Sequence, residues 1–413
     1  MAVTRTHFTF RTSPASRTIS LHRSLSRLDS QPFLAAIFLT VAIIVLGPAY
    51  ARADVDDVKL AGDDQADRTA SRLWPFGRPG VVKRDRGDVA PVSPAAPQSV
   101  LGSNILEPTG RSWTQQTTSG VRDWVGIACD STCTKIVGVA ATDFVYTSTD
   151  SGATWTQQTG SLIAGYQGVA SSSDGTKLVA VALSLHIQTS DDSGVTWMDQ
   201  PGSAAGTWWW VACDLTCTKV AAVETFGLVY TSTDSGVSWT GRAAHRAWLR
   251  IASSSDGTKL AATDDSPGRI WTSTDSGMTW IARDSDRVWI GIAMSADGSK
   301  MIAADNGPAA NGLLYLSTDG GMTWVPQPKA GTRNWGDVAC DSTCTAMMAA
   351  DFGGNIYVSD DSGSTWVAQS QAGLHEWNAI AMSTDGTKLV AAEFGGTVWT
   401  SALRPKAEVR SAR

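Results

Sequence analysis

Six aspartates, Asp150, Asp192, Asp234, Asp275, Asp319 and Asp361, recur at intervals of 41 to 44 residues, each inside an octamer such as "STDSGATW" (148–155) or "SDDSGVTW" (190–197). Taken singly they are candidates for acid–base chemistry. A glycoside hydrolase needs only two carboxylates roughly 5 to 10 Å apart, and Asp264, Asp265 and Asp305 add further acids in neighbouring stretches. Six near-identical copies argue for another role. A short acidic side chain accepts hydrogen bonds from the N–H groups of its own turn, and the glycine two residues on permits a positive φ. The Trp that closes each octamer is then placed to bury a large apolar surface. On this reading the octamer is a turn staple, and the residues that differ between copies carry the function.

The elements that position these residues follow from the repeat. The octamer tryptophans are Trp155, Trp197, Trp239, Trp280, Trp324 and Trp366, and one interval earlier Trp113 stands in "TGRSWTQQ", without the Asp. A second marker, an aromatic four residues before an alanine, falls at Trp124, Tyr166, Trp208, Trp248, Trp289, Trp335 and Trp377. Both markers give seven units. Within the first, "WVGIA", "KIVGVA", "VYTS" and "TWTQQ" are short apolar runs separated by turn residues, hence four strands. Four strands per period of this length predict an all-β fold, a seven-bladed β-propeller of four-stranded antiparallel blades over residues 106–403. The seventh unit stops at "GGTVWTSA" (395–402) with no fourth strand, so the stretch around Ser112–Gln116 is expected to supply it and leave no open sheet edge.

The S-x-D-x-G-x-T-W pattern resembles the Asp-box of the bacterial neuraminidase repeat, with similar boxes in sialidases, glucan hydrolases, sortilin-type receptors and photosystem II assembly and stability factors. The motif is shared by enzymes and binding proteins, so the resemblance implies the fold and leaves the activity open. Sialidase activity would imply an Arg-Ile-Pro segment, which is absent, and a nucleophilic Tyr. Here Tyr146, Tyr230, Tyr315 and Tyr357 repeat in strand three, Tyr166 replaces a core Trp, and Tyr50 lies in the leader. The overall plan is most similar to the photosystem II factors, which are lumenal propellers with a functional Arg-rich patch. That resemblance implies a non-catalytic scaffold with a protein or peptide partner, such as a photosystem II subunit. The alternative is a secreted glycan-binding or glycan-cleaving propeller. No catalytic residue, cofactor or metal site is assigned.

On the face opposite the octamers two residue classes recur. Two positions before the marker aromatic stand Arg122, Arg246, Arg287, Arg333 and His375, with Ala164 and Gly206 in units two and three. Five positions beyond the Lys-equivalent residue of strand two stand Glu224, Asp264, Asp305, Asp351 and Glu393, with Ala140 and Ala182 in units one and two. These positions are antiparallel neighbours, so cation and acid are expected to meet around one mouth of the central channel, and Arg122 is expected to lack an acid. The set reads either as exposed ion pairs, worth roughly 0 to 1 kcal/mol each, or as a charged ring that recognises a polar ligand through the multi-donor guanidinium. The triple Trp of "TWWWVA" reads as extra packing near the channel, with a stacking platform as the alternative.

All six cysteines lie in three matching turns, "CDSTC" (129–133), "CDLTC" (213–217) and "CDSTC" (340–344). Zinc would need further ligands at each turn and no histidine accompanies them. Local disulfides Cys129–Cys133, Cys213–Cys217 and Cys340–Cys344 are expected, in keeping with an oxidising compartment. Residues 1–53 read as a targeting segment, with an apolar run "FLAAIFLTVAIIVL" (33–46) before Ala51-Arg52-Ala53. A bipartite thylakoid-lumen leader is favoured slightly over a plain secretory one, and an uncleaved leader is the one expected route to a membrane. Residues 54–105 read as a linker and 404–413 as a polar tail. Beyond residue 53 the chain holds 27 basic and 38 acidic residues, a formal charge of −11, which excludes nucleic acid as an expected partner.

Overall fold

The computed structural model describes residues 111–265, 268–307 and 311–403. The expected leader, linker and tail, and residues 106–110 at the start of the propeller, lie outside the described residues. Among the described residues regular structure is antiparallel strand, with a few short 3-10 turns and no α-helix. The first unit consists of β2 (Arg122–Cys129), β3 (Ile136–Asp143), β4 (Val145–Ser148) and β5 (Thr156–Gln158), paired in chain order. The second repeats it with β6 (Ala164–Ser171), β7 (Leu178–Leu185), β8 (Ile187–Ser190) and β9 (Met198–Gln200). Later units follow the same plan. The fold is a β-propeller, and the succession of units fits seven blades.

Packing between blades explains the sequence pattern. Strand two of each unit is rich in alanine, and Ala180, Ala222, Ala262, Ala303, Ala349 and Ala391 are fully buried. The first unit has Gly138 at that position, where a Cβ would come within 2.8 Å of the Trp124 ring. Small residues there leave room for the marker aromatics, of which Trp124, Trp248, Trp289, Trp335 and Trp377 have no exposed surface. Each apolar cluster joins two blades. Val137, Val139 and Val145 of the first unit pack with Tyr166, Val169 and Leu178 of the second.

Adjacent blades are also stitched by backbone pairing, in which the start of strand one meets the end of the preceding strand two. Examples are Ala164 with Asp143, Gly206 with Leu185 and His375 with Gly354. The same stitch joins Arg122 of the first blade to Gly396 of the seventh, so the ring is closed. As expected, the N-terminal β1 (Arg111–Gln116) completes the last blade, running antiparallel to Val398–Leu403 over six paired positions. Arg111 is almost wholly buried there, donating to the backbone oxygens of Gly386 and Thr387 and to Asp360. Trp113 donates from Nε1 to Gln369 and joins the core between the last two blades.

The central channel opens on the octamer face into a recess of about 270 Å³ lined by strand-one residues, among them Ile127, Val169, Trp210, Ile292 and Asp337. Asp337 is buried and accepts the backbone N–H groups of Val338 and Ile380. Burial pushes its carboxyl up to about 6, against the opposing attraction of Arg250. Arg250 is itself buried, with its guanidinium 3.9 Å from the centre of the Trp210 ring. Trp210 therefore packs into the channel, as expected, and it does so as the platform for a buried cation.

Two predictions follow from closure and from the channel. Removing residues 106–116 exposes the edge of the last blade and takes Trp113 out of the core that it shares with Ala372 and Trp377; at a cost of about 4 kcal/mol or more, the melting temperature should fall by roughly 10 °C or more. An unchanged melting curve would contradict closure by this strand. The Asp337 carboxyl is raised relative to the unfolded chain, so its protonation favours the fold, and this contribution appears as pH falls from 7 through 6 and is complete near 4. Asp305 and Asp351, also raised by burial, act in the same sense, whereas the lowered octamer carboxylates act oppositely and only in more acid solution. Between pH 7 and 5 Asp337 should add about 1 kcal/mol. Denaturant titrations at the two pH values should show this gain shrinking in Asp337→Asn.

Candidate binding site

The octamer turns prove to be closed hydrogen-bonded units. In the first, Ser148 Oγ donates to Asp150 at 2.8 Å and accepts the Gly152 N–H at 2.9 Å, while Asp150 accepts the Thr154 N–H and hydroxyl at 2.8 and 2.6 Å. Trp155 Nε1 donates to the Gly152 carbonyl. The same Ser–Asp–Thr set holds Asp192, Asp275, Asp319 and Asp361, and Ser238 replaces the threonine at Asp234. Hydroxyl and N–H donors hold the Asp234 and Asp275 carboxyls down at about 2. These carboxylates are committed to their own turns. The leading serine, which sequence reasoning passed over, is as much a part of the staple as the aspartate.

The three cysteine turns lie on this same face, and all three expected disulfides are present, each joining residues four apart with Cα atoms 4.9 Å apart. Lysines reach across it between blades, Lys135 to Ser193 and Lys177 to Ser235. The octamer face is thus largely occupied by structural contacts.

The opposite face carries the recurring cations, and there the structure brings them together with acids and with a third component. Arg122 lies 4.0 Å from the centre of the Tyr146 ring, Arg246 4.0 Å from Trp271, Arg287 4.4 Å from Tyr315 and Arg333 4.0 Å from Tyr357. His375 stands 5.4 Å from Trp399. Strand three therefore supplies a ring under each of the four arginines, and a tilted one beside His375. The tyrosines were visible in the sequence as a repeat, but only the fold shows that they face residues more than 20 positions away in the chain.

The acids are placed as expected in three blades: Arg246 with Asp264 at 3.2 Å, Arg333 with Asp351 at 3.6 Å and His375 with Glu393 at 2.9 Å. Two expectations need correction. Arg122 does have an acid, Asp143, at 3.1 Å, because the end of strand two reaches past the position occupied by Ala140. Arg287 meets Asp284 at 3.6 Å, three residues back on its own strand, while Asp305 acts on it only through its charge. Glu224 has no cation within ion-pairing distance among the described residues; it accepts the Thr207 N–H and acts on the Tyr230 hydroxyl. Burial raises the carboxyls of Asp305 and Asp351, opposed by Arg287 and Arg333.

The four stacked arginine side chains remain 24 to 37% exposed. A guanidinium fixed by a ring below and an acid beside it keeps donors toward solvent without the entropy loss of an unrestrained side chain. Around this rim Val121, Ile163 and Leu374, just before the first strands of their blades, and Phe226, within the strand Val220–Ser232, are also exposed. The arrangement suits recognition of a segment bearing carboxylates or carbonyls together with apolar side chains.

No family model matches this sequence, and no curated protein matches it. Solved structures with the same fold include YCF48 bound to D1 peptide, with a TM-score of 0.58 at 14% identity over 72% of this chain and 97% of that one. YCF48 from Cyanidioschyzon merolae gives 0.56 at 16% identity over 70% and 98%. The GH74 enzyme of Niastella koreensis gives 0.57 at 15% identity over 71% of this chain, which spans only 54% of the enzyme. The likeness is one of fold, the β-propeller, to binding proteins and enzymes alike.

Proposed function

We propose that this protein is a non-catalytic propeller that binds a peptide segment of a partner protein on its rim face, as a photosystem II assembly or stability factor does. The observation that carries the reading is the set of four partly exposed arginines, each stacked on a strand-three aromatic and each beside an acid, at one repeat position. The likeness to YCF48 bound to D1 peptide supports a peptide as the kind of partner, and a photosystem II subunit as the specific one. Export to the thylakoid lumen, with the leader removed near Asp54, belongs to the same reading. The likeness to GH74 enzymes supports a second reading, a glycan-cleaving propeller. Hydrolysis of a β-glucan that is lost in Asp305→Asn would favour it.

Changing Arg246, Arg287 and Arg333 together to Ala should weaken peptide binding about tenfold or more, taking roughly 0.5 to 1 kcal/mol for each stacked cation, with a modest change in melting temperature. The triple change of Asp150, Asp192 and Asp234 to Ala should do the reverse, lowering the melting temperature by opening three turns. Normal binding by the arginine variant, with loss of binding in a well-folded aspartate variant, would move the ligand to the octamer face. For the compartment, intact-mass measurement of the native protein should give a chain beginning near Asp54 that gains six hydrogens on reduction. A chain retaining Met1 would overturn the export proposal.

A further inference from the structure

In four blades a guanidinium of the chain itself fills a slot made of a strand-three aromatic, the marker Trp behind it and a carboxylate at the side. The third blade has the walls of that slot. Tyr230 and Trp208 form an edge-on couple with ring centres 5.0 Å apart at 71°, matching Trp335 and Tyr357 at 5.5 Å and 81°. Glu224 stands directly opposite Trp208 in register, as Asp351 stands opposite Trp335 and Asp264 opposite Trp248. Its position over the following glycine is also shared: a Cβ on Gly227 would meet the Glu224 carboxylate, as one on Gly354 would meet that of Asp351. What differs is residue 206, a glycine where the other blades have Arg246, Arg333 or His375.

Glu224 is left without a cationic partner among the described residues, and the residues at the mouth of the slot, Ala204, Ala205 and Thr207, are exposed. Glu224 and Tyr230 are themselves partly exposed. The second blade offers no such slot, since Ala164 and Ala182 replace cation and acid, and Gln188 replaces the aromatic and is bonded to the Tyr166 hydroxyl.

We propose that the Glu224–Tyr230–Trp208 slot of the third blade binds a guanidinium group brought by another molecule, the arginine side chain of a partner protein, which completes the arrangement that the chain's own arginines complete elsewhere. The chemistry is that of the occupied blades: the planar cation lies over the Tyr230 ring and its N–H groups meet the Glu224 carboxylate. A guanidinium suits the slot better than an ammonium, because only a planar group can stack on the ring and present a donor edge to the acid at the same time. The slot goes beyond the peptide reading of the rim. It accepts a basic side chain where the rest of the rim presents cations, and it would tell the partner which way round to lie.

The full-length chain tests this without the partner, using ethylguanidinium as the probe and saturation-transfer NMR as the readout. The parent protein should show a signal that falls about fivefold in Glu224→Gln, in line with loss of the ion pair and the stacked geometry it enforces. Gly206→Arg should abolish the same signal by filling the slot from within. The φ of Gly206 is not positive, so the backbone conformation permits a side chain there; a Cβ would stand 3.0 Å from the Glu224 carboxylate and 3.2 Å from the Trp208 ring, so both must give by a few tenths of an ångström. Gly206→Arg should also raise the melting temperature in the parent and fail to raise it in the Glu224→Gln background. Equal probe signals in the parent and Glu224→Gln would overturn the proposal, as would a stabilising effect of Gly206→Arg that is indifferent to residue 224. Should Gly206→Arg not fold, the comparison of parent with Glu224→Gln decides alone. Because the probe is a small cation, a failure here leaves the rim arginines and their peptide untouched, and a failure of peptide binding leaves the slot untouched.

Discussion

A blade of four short strands cannot bury both of its faces, so every blade in this protein depends on the ones beside it, and the ring must close for any of them to be stable. Closure is achieved twice over. The first strand of the first blade stitches to the second strand of the seventh, and β1 fills the outer place that the seventh blade leaves empty. The apolar core has the same form, since Trp124, Ile136 and Tyr146 of the first blade pack with Val390, Ala392 and Val398 of the last. Alanine in strand two is the sequence mark of this constraint: a larger residue would push the blades apart at the points where the marker tryptophans must enter.

The two faces of the ring then divide the work. On one, the octamer turns and cysteine turns hold strand ends by short-range hydrogen bonds and local disulfides, and lysines bridge from blade to blade. On the other, strand ends finish in variable loops, and the groups that recur there are stacked cations held partly open to water. A repeat that places its invariant residues on one face leaves the other free to vary, which is why the proposed recognition is assigned to the rim.

The repeat, the strand order, the closing strand and the disulfide pairing were all legible in the sequence, because each rests on local signals: an octamer, an alternating run, a missing fourth strand, a cysteine spacing of four. The rim was legible only in part. Counting along strand two finds Asp264, Asp351 and Glu393 opposite the marker aromatic, where pairing is regular. It misses Asp143, which lies three residues beyond Ala140 in the stretch of strand two that has already left its own blade to pair with Ala164 of the next. It misses Asp284 because that residue belongs to a strand-four segment of a different unit, brought to Arg287 by an extended strand that runs on between units. The buried couple of Arg250 and Asp337 left only a faint trace, a charged residue where units one, two and five have glycine, because its meaning depends on strands of the fourth and sixth units facing one channel.

Deviations from the repeat carry more information than the repeat. Seven equal blades would present seven equal cations and could fix neither the direction nor the register of a bound segment. Here the second blade has neither cation nor acid at the two rim positions, and the third keeps the acid and the aromatic without the cation. The rim thus reads, around the ring from the fourth blade to the first, as four stacked arginines and one histidine with acids at their sides, followed by a neutral sector and then a sector where an acid stands without a cation. A segment with carboxylates toward one end and a basic residue toward the other would match that order in one orientation only. The same polarity follows from the energies. Each stacked cation contributes on the order of 1 kcal/mol or less, so no single blade holds a partner. On the proposed binding role, affinity would come from several sectors engaged at once, and a segment lying in the reverse direction would lose most of them together.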